Sequence, residues 1–232
     1  MVFVNGKRLL SRINELGKIG KDAEGRRTRL AASDADKQGR DLVSEWMKEA
    51  GLEVVTDRIG NIFGIWETPE NKDQAPLMIG SHIDTVINAG QYDGCLGVIS
   101  SIEVIRTLKD NGMVSARPVV AAAFTNEEGV RYSPDMMGSL VYAGGMDVEE
   151  ALDTVGTDGT ILRDELKRIG YEGTVEPGFI KPYAFVELHI EQGAYLVNEG
   201  CDIGIVDGIV GITRYMVHIT GESNHAGTTP MK

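Results

Sequence analysis

Leu77-Met78-Ile79-Gly80-Ser81-His82-Ile83-Asp84 decides how the chain folds. Leu77 to Ile79 is an apolar run of strand length, and a potential metal ligand, His82, stands just beyond it. Downstream, Val98, Ile102, Ile105 and Leu108 recur at helical spacing within Gly97 to Leu108, and Asn111-Gly112 closes that segment. Val119 to Phe124 is then continuous and apolar, as in a strand covered on both faces. Strand, helix, strand in this order predicts a buried parallel pair, hence an α/β fold with a mixed, largely parallel central sheet flanked by helices.

Outward from this unit, Leu9, Leu10, Ile13, Leu16 and Ile19 predict one scaffold helix. Leu42, Val43, Trp46, Met47 and Ala50 predict a second, ended by Gly51. Leu52 to Thr56 and Ile62 to Trp66 flank Asp57-Arg58-Ile59-Gly60-Asn61 and read as a β-hairpin; polar Pro69 to Pro76 is a surface connection. A further helix, roughly Gly159 to Ile169, precedes a strand carrying His189. The sequence has no internal repeat and no low-complexity segment.

Composition narrows the class of function. The 232 residues suffice for a substantial core in one or two domains, and 42% hydrophobic with 25% charged residues is ordinary for a soluble protein. A net charge of -12 without a basic stripe argues against nucleic acid or an anionic membrane as partner. No apolar run approaches the roughly 20 residues needed to span a bilayer. Met1 to Leu10 lacks the apolar core of a signal peptide, so a cytoplasmic location is expected. Cys95 and Cys201 are the two cysteines, too few for a disulfide framework or a Cys-rich zinc site. Any metal must be held by oxygen and imidazole.

Four such ligands follow four apolar runs: His82, Asp93 in the turn beyond it, Glu128 after Val119 to Phe124, and His189 after Ala184 to Leu188. This distribution describes a binuclear site, because loops from several strands converge at their carboxyl ends in open α/β sheets. Residues two apart on a strand share a face, so Asp84 is placed to accept the second imidazole N–H of His82; a structural hydrogen-bonded pair is the plain alternative. Asp93, in Gln91-Tyr92-Asp93-Gly94, is the best candidate to bridge two cations about 3.5 to 4 Å apart, and is otherwise an ordinary turn or cap. Gly94 and Gly97 fit neither a dinucleotide fingerprint nor a P-loop.

In Asn126-Glu127-Glu128-Gly129, two adjacent carboxylates end a buried strand. Either they are a solvated charge pair, or Glu128 binds metal while Glu127 takes a proton from the attacking water and passes it to the leaving nitrogen. Phe185 to Gly193 alternates, with Glu187, His189 and Glu191 on one parity, which also suits a half-exposed strand. Gln192 offers an amide to a urea or amide group of a substrate, and His218 reads as an ordinary strand residue.

Five motifs then carry a resemblance: Gly80-Ser81-His82-Ile83-Asp84-Thr85-Val86, Tyr92-Asp93-Gly94, Phe124-Thr125-Asn126-Glu127-Glu128-Gly129, Glu187-Leu188-His189-Ile190-Glu191-Gln192-Gly193 and Asn224-His225-Ala226-Gly227-Thr228-Thr229-Pro230-Met231. In this order the chain resembles the N-carbamoyl-L-amino acid hydrolase, allantoate amidohydrolase and β-ureidopropionase family, within the wider group of binuclear-metal aminoacylases and carboxypeptidases. The resemblance runs from about residue 35 to the end.

The resemblance implies a zinc-peptidase-like catalytic domain, begun by residues 1–210, and an α+β lid or dimerisation domain begun by residues 211–232. It implies one metal at His82 and His189, a second at Glu128, Asp93 bridging both, and two divalent ions per complete subunit, whether zinc, manganese, cobalt or nickel. A histidine at position 189 favours the carbamoylase branch. Glu127 would be the general base, Asp84 the partner of His82, Gln192 a substrate contact, and His225 a lid histidine that reaches the partner subunit's active site and helps hold the oxyanion. The implied partners are a small N-carbamoyl or ureido substrate and a second copy of the full-length chain in a homodimer.

The carboxyl end departs from this pattern. After a strand over Arg214 to Thr220, Thr228-Thr229-Pro230 signals a helix start, and Met231 and Lys232 follow. Against the family, the chain lacks most of the lid, a carboxylate-binding arginine, the last catalytic strands and the final histidine ligand of the Glu128 metal. The expectation is a fragment, inactive by itself. The expected function of the complete protein is metal-dependent hydrolysis of a linear amide or carbamoyl C–N bond, N-carbamoyl-L-amino acid to amino acid, ammonia and carbon dioxide. The alternatives are an allantoate or β-ureidopropionate amidohydrolase, a dipeptidase or aminoacylase, and, for the fragment, a non-catalytic metal-binding remnant.

Overall fold

Val119, Ala121 and Ala123 belong to one hydrophobic core and Val120 and Ala122 to another, because successive residues of a strand face opposite sides of its sheet. The computed structural model describes residues 2–211, 213, 215 and 217–230. Among the described residues five strands form the sheet, in the order β1-β2-β4-β3-β5: β1 (Glu53–Thr56), β2 (Ile62–Trp66), β3 (Leu77–His82), β4 (Val119–Phe124) and β5 (Ala184–Val186). β1 and β2 form the expected antiparallel hairpin, and β2 also pairs antiparallel with β4. β3 runs parallel to β4 on one side and to β5 on the other. The sheet is thus evenly mixed; its parallel half is where the candidate ligands gather.

Helices α1 (Gly6–Leu16), α2 (Asp34–Glu49) and α3 (Cys95–Asp110) cover one face. Asn5 and Ser33 cap α1 and α2 through side-chain oxygens that accept the N–H of Arg8 and Asp36. Val98, Ile99, Ile102 and Ile105 of α3 are fully buried, so truncating Ile102 to alanine costs about 2–5 kcal/mol. On the other face, Phe63, Met78, Val120 and Ala122 pack with Phe124 and Tyr142, the last residue of α4 (Met137–Tyr142). A third core joins α4 to α5 (Val148–Leu152) and α6 (Leu162–Ile169) through Met137, Val141, Leu152, Leu162 and Leu166.

Three expectations are corrected. The helix placed roughly from Gly159 starts at Leu162, because Gly159 takes a positive φ of 80° and Gly156–Thr160 forms a turn. The strand read over Phe185 to Gly193 ends at Val186. Among the described residues β5 pairs with β3 alone, and beyond Val186 the ladder gives way to a side-chain contact, Ser81 Oγ donating to Glu187 Oε1 at 2.5 Å. Of the strand expected over Arg214 to Thr220, Arg214 and Met216 lie outside the described residues, and Val217 to Thr220 are irregular.

The chain divides into two units, residues 1–190 and 191–232. The second contains the short helix α7 (Tyr195–Glu199), whose first turn donates the N–H groups of Tyr195 and Leu196 to Glu191. Among the described residues no helix is long and apolar enough to cross a membrane.

Candidate metal centre

His82 is the last residue of β3 and pairs in register with Phe124, the last residue of β4. Because the strands are parallel, their carboxyl ends lie at the same sheet edge, which brings His82 beside the turn that carries Glu127 and Glu128. α3 packs against both strands and begins two residues after Asp93, and β5, parallel to β3, leads to His189. Parallel pairing of β3, β4 and β5, with α3 packed on β3 and β4, therefore collects all four ligand candidates at one sheet edge.

Oδ1 of Asp93 is 3.2 Å from Nε2 of His189 and 3.8 Å from Nε2 of His82. Nε2 of His82 is also 3.4 Å from Oε2 of Glu127. The two imidazoles lie 6.1 Å apart, inclined by 26°. Two overlapping groups of donor atoms result, each within 4.8 Å: His82, Asp93 and His189, and His82, Glu127 and Glu128. The first brings together His82 and His189, expected on one metal, and Asp93, expected to bridge two. In the second, Glu127 stands as close to His82 as a ligand would.

Both histidines, buried His82 and exposed His189, turn Nε2 toward Asp93 by the same device. Nδ1 of His82 meets the backbone oxygen of Asp84 at 2.9 Å, and Nδ1 of His189 meets that of Ile190 at 2.9 Å. A carbonyl oxygen only accepts, so each Nδ1 carries the hydrogen and each Nε2 presents a lone pair. For His82 this corrects the expected contact, since the Asp84 carboxylate stands 3.8 Å from Nδ1. The strand ends at His82, so positions 82 and 84 no longer share a face. The carboxylate instead accepts the backbone N–H of Glu127 at 3.1 Å and of Glu128 at 3.2 Å.

Electrostatics fit a cation at this edge. Burial pushes the Glu127 and Glu128 carboxyls up; His82 opposes this, while Asp84 and Asp93 add to it. Burial likewise raises Asp84, with His82 opposing. For His82, burial disfavours the imidazolium, but the Asp84 and Glu127 carboxylates outweigh it and the net shift is upward. Nε2 atoms facing carboxylate oxygens, and a buried Glu128 Oε1 without a hydrogen-bond partner among the described residues, are a donor set that a cation would satisfy. Imidazole and carboxylate donors suit a divalent cation of borderline softness.

Three residues to which the sequence alone gives no role in the site also build it. Gly94 has a φ of 61°, and a Cβ there would lie 2.4 Å from the His82 ring, so only glycine lets the Asp93 turn approach the imidazole. Glu187, held by Ser81, adds negative charge near Glu127. Arg29 is fully buried and donates through Nε to Ile83 O at 2.7 Å and through Nη2 to Cys95 Sγ at 3.1 Å, tying the His82 loop to the start of α3. In sequence it is the last arginine of Arg26-Arg27-Thr28-Arg29, just before Leu30-Ala31-Ala32, and nothing local marks it for burial. Gln192 and His225 lie in the second unit; there His225 closes a turn, its Nδ1 accepting Gly227 N–H at 3.1 Å.

Comparison with known proteins bears on this edge. Residues 78–230 match peptidase family M20/M25/M40. The N-carbamoyl-L-amino acid amidohydrolase of Geobacillus stearothermophilus is 40% identical over 235 residues, 99% of this chain and 56% of that protein. The allantoate deiminase of Arabidopsis thaliana is 40% identical over 230 residues, 96% of this chain and 43% of that one. A crystal structure of an amidase of the hydantoinase/carbamoylase family from Burkholderia multivorans superimposes with a TM-score of 0.83 at 43% identity, covering 86% of this chain and 48% of that one. The chain spans about half the length of the curated relatives it matches.

Proposed function

Since the chain belongs to peptidase family M20/M25/M40, a family of metal-dependent hydrolases, we propose that it forms the metal-binding part of an amidohydrolase that cleaves a linear amide or carbamoyl C–N bond. The observation that carries this is the convergence of the His82 and His189 Nε2 lone pairs on Asp93, with Glu127 and Glu128 alongside. His82, Asp93 and His189 would hold one divalent ion and Glu128 would belong to a second, with the Asp93 carboxylate placed to serve both. The chemistry that divalent ions would supply when bound there is Lewis acidity toward the scissile carbonyl and toward the attacking water, whose pKa would fall toward neutrality.

Glu127 is the proton carrier in this proposal. Half-buried and 3.4 Å from His82 Nε2, it removes a proton from the attacking water and delivers it to the leaving nitrogen. Asp84 holds the Glu127-Glu128 turn through two backbone N–H groups. Gln192 contacts the substrate amide, and His225 helps stabilise the oxyanion in a homodimer of the longer protein. Residues 1–210 then begin the catalytic domain and residues 211–232 the lid, in a cytoplasmic enzyme using zinc, manganese, cobalt or nickel.

The preferred substrate is an N-carbamoyl-L-amino acid. Water adds to the carbamoyl carbon, the C–N bond to the amino acid breaks with proton transfer to that nitrogen, and the released carbamic acid decomposes to ammonia and carbon dioxide. An allantoate-type ureido substrate is the second reading, favoured by equal identity, 40%, to the Arabidopsis thaliana allantoate deiminase. The test is turnover by the protein of full family length, loaded with each metal, on an N-carbamoyl-L-amino acid, allantoate, β-ureidopropionate, an N-acetyl amino acid and a dipeptide. Ammonia release from the first is expected; cleavage confined to the dipeptide would overturn the proposal.

A further inference from the structure

The two glutamates of this site are adjacent in sequence, yet the proposed reaction gives them different work, so something must fix the turn between strand and loop. The residue before them, Asn126, is fully buried and has a positive φ of 53°. Side-chain-bearing residues avoid this left-handed region, and asparagine is among the few that tolerate it. The two N–H groups that follow Asn126, those of Glu127 and Glu128, both end on the Asp84 carboxylate. Successive N–H groups converging on one anion are a typical consequence of a left-handed residue beside a right-handed or turn residue.

The Asn126 side chain has a separate role. Nδ2 donates to the backbone oxygens of Tyr132 at 2.8 Å and Pro134 at 3.1 Å, across the loop that leaves the glutamates. The loop then returns beside its own start: Met136 N–H donates to Glu127 O at 2.6 Å, Met137 N–H to Asn126 O at 3.2 Å and Gly138 N–H to Thr125 O at 2.8 Å. One side therefore requires a left-handed backbone, and the other requires two amide donors. Glycine meets the first requirement but not the second. Aspartate tolerates the backbone but has no N–H to give to two carbonyls, and alanine meets neither.

We infer that Asn126 is a positioning residue for the metal centre: its backbone aims the Glu127 and Glu128 amides at Asp84, and its amide group pins the loop that would otherwise let both glutamates swing. The inference rests on the metal-hydrolase proposal and deepens it, since Asn126 acts through the placement of Glu127 and Glu128.

Titration with Co2+ tests it, because the visible absorption of this ion reports its coordination as well as its affinity. The unchanged chain, Asn126→Gly, Asn126→Asp and Asn126→Ala are compared with Tyr132→Phe, which removes the 2.9 Å contact of Tyr132 Oη with Thr160 Oγ1 in the same loop and leaves the turn alone. Loss of a supporting partner lowers metal affinity by roughly 10- to 100-fold. The expected result is a loss of that size in Asn126→Gly and Asn126→Asp, with an altered visible band at saturation, while Tyr132→Phe retains the band and the affinity. If Asn126→Ala fails to fold, Asn126→Gly and Asn126→Asp decide, since both tolerate the left-handed backbone. Unchanged affinity and spectrum in Asn126→Gly and Asn126→Asp, or an equal loss in Tyr132→Phe, would overturn the inference. No Co2+ uptake by the unchanged chain would overturn the metal-centre proposal beneath it.

Discussion

Nδ1 of His82 lies 2.9 Å from the backbone oxygen of Asp84, whereas the Asp84 carboxylate stands 3.8 Å away and holds the Glu127 and Glu128 amides instead. Asp84 thus links the two sides of the site with two different groups, main chain toward the histidine and side chain toward the glutamates. Asp84→Asn leaves the carbonyl contact to His82 in place, but turns an NH2 group toward one of the two N–H donors. Zn2+ affinity is expected to fall roughly 10- to 100-fold. Calorimetric titration checks this, and an unchanged affinity would mean that the clamp on Glu127 and Glu128 contributes nothing.

Gly94→Ala tests the closeness of the Asp93 turn to His82. The added methyl group would sit 2.4 Å from the imidazole, on a backbone with positive φ. Either the ring or the turn must move, and both carry candidate ligands. Loss of metal binding is expected, together with a destabilisation of at least about 1 kcal/mol for alanine in a left-handed position. Thermal melting with and without Zn2+ measures both; a variant stabilised by Zn2+ as strongly as the unchanged chain would contradict the geometry.

Much of the fold was legible in the sequence because its signals are local. The β1–β2 hairpin, α3 and the apolar β4 each announce themselves by periodicity, and their order implies the parallel pair that places the site. The end of β5 was not legible: Glu187, His189 and Glu191 alternate like a strand, but the backbone leaves the sheet after Val186 because β5 pairs with β3 over three residues. Metal-ligand candidates could be read from their places at strand ends. The roles of Arg29, Gly94 and Asn126 could not, since each depends on a tertiary neighbour: Ile83 O, the His82 ring, and the Tyr132 and Pro134 carbonyls.

Glu127→Gln separates two roles for a residue that stands within ligand distance of His82. As the proton carrier, Glu127 is dispensable for holding metal but not for turnover. In the protein of full family length, the variant is expected to keep its metal content and lose about 10²- to 10⁴-fold in kcat. Metal analysis beside steady-state kinetics checks this; loss of metal in parallel with activity would reassign Glu127 as a ligand.

Asp57 supplies a pH dependence remote from the metal centre. It is fully buried in the β1–β2 turn, and burial pushes its carboxyl up to about 7, against hydrogen bonds from Asn61 that favour the charged form. An unfolded aspartate titrates near 3.9. Between these values the folded chain binds the extra proton, so the stability contributed by Asp57 is fully present below about pH 4, declines as pH rises to about 7, and is flat above it. A shift of this size corresponds to a few kcal/mol, on the order of 4. Urea unfolding across pH 4 to 8 is expected to show a shallower slope in Asp57→Asn than in the unchanged chain, and identical slopes would exclude Asp57 as the source.

The account stands on a divalent cation held between His82, Asp93 and His189. Co2+ titration of the unchanged chain beside Asp93→Ala, followed by visible absorption, tests this most directly. The expected result is saturable uptake of at least one ion by the unchanged chain, with a d–d band that Asp93→Ala abolishes. Absence of saturable uptake, or an identical band in Asp93→Ala, would contradict it.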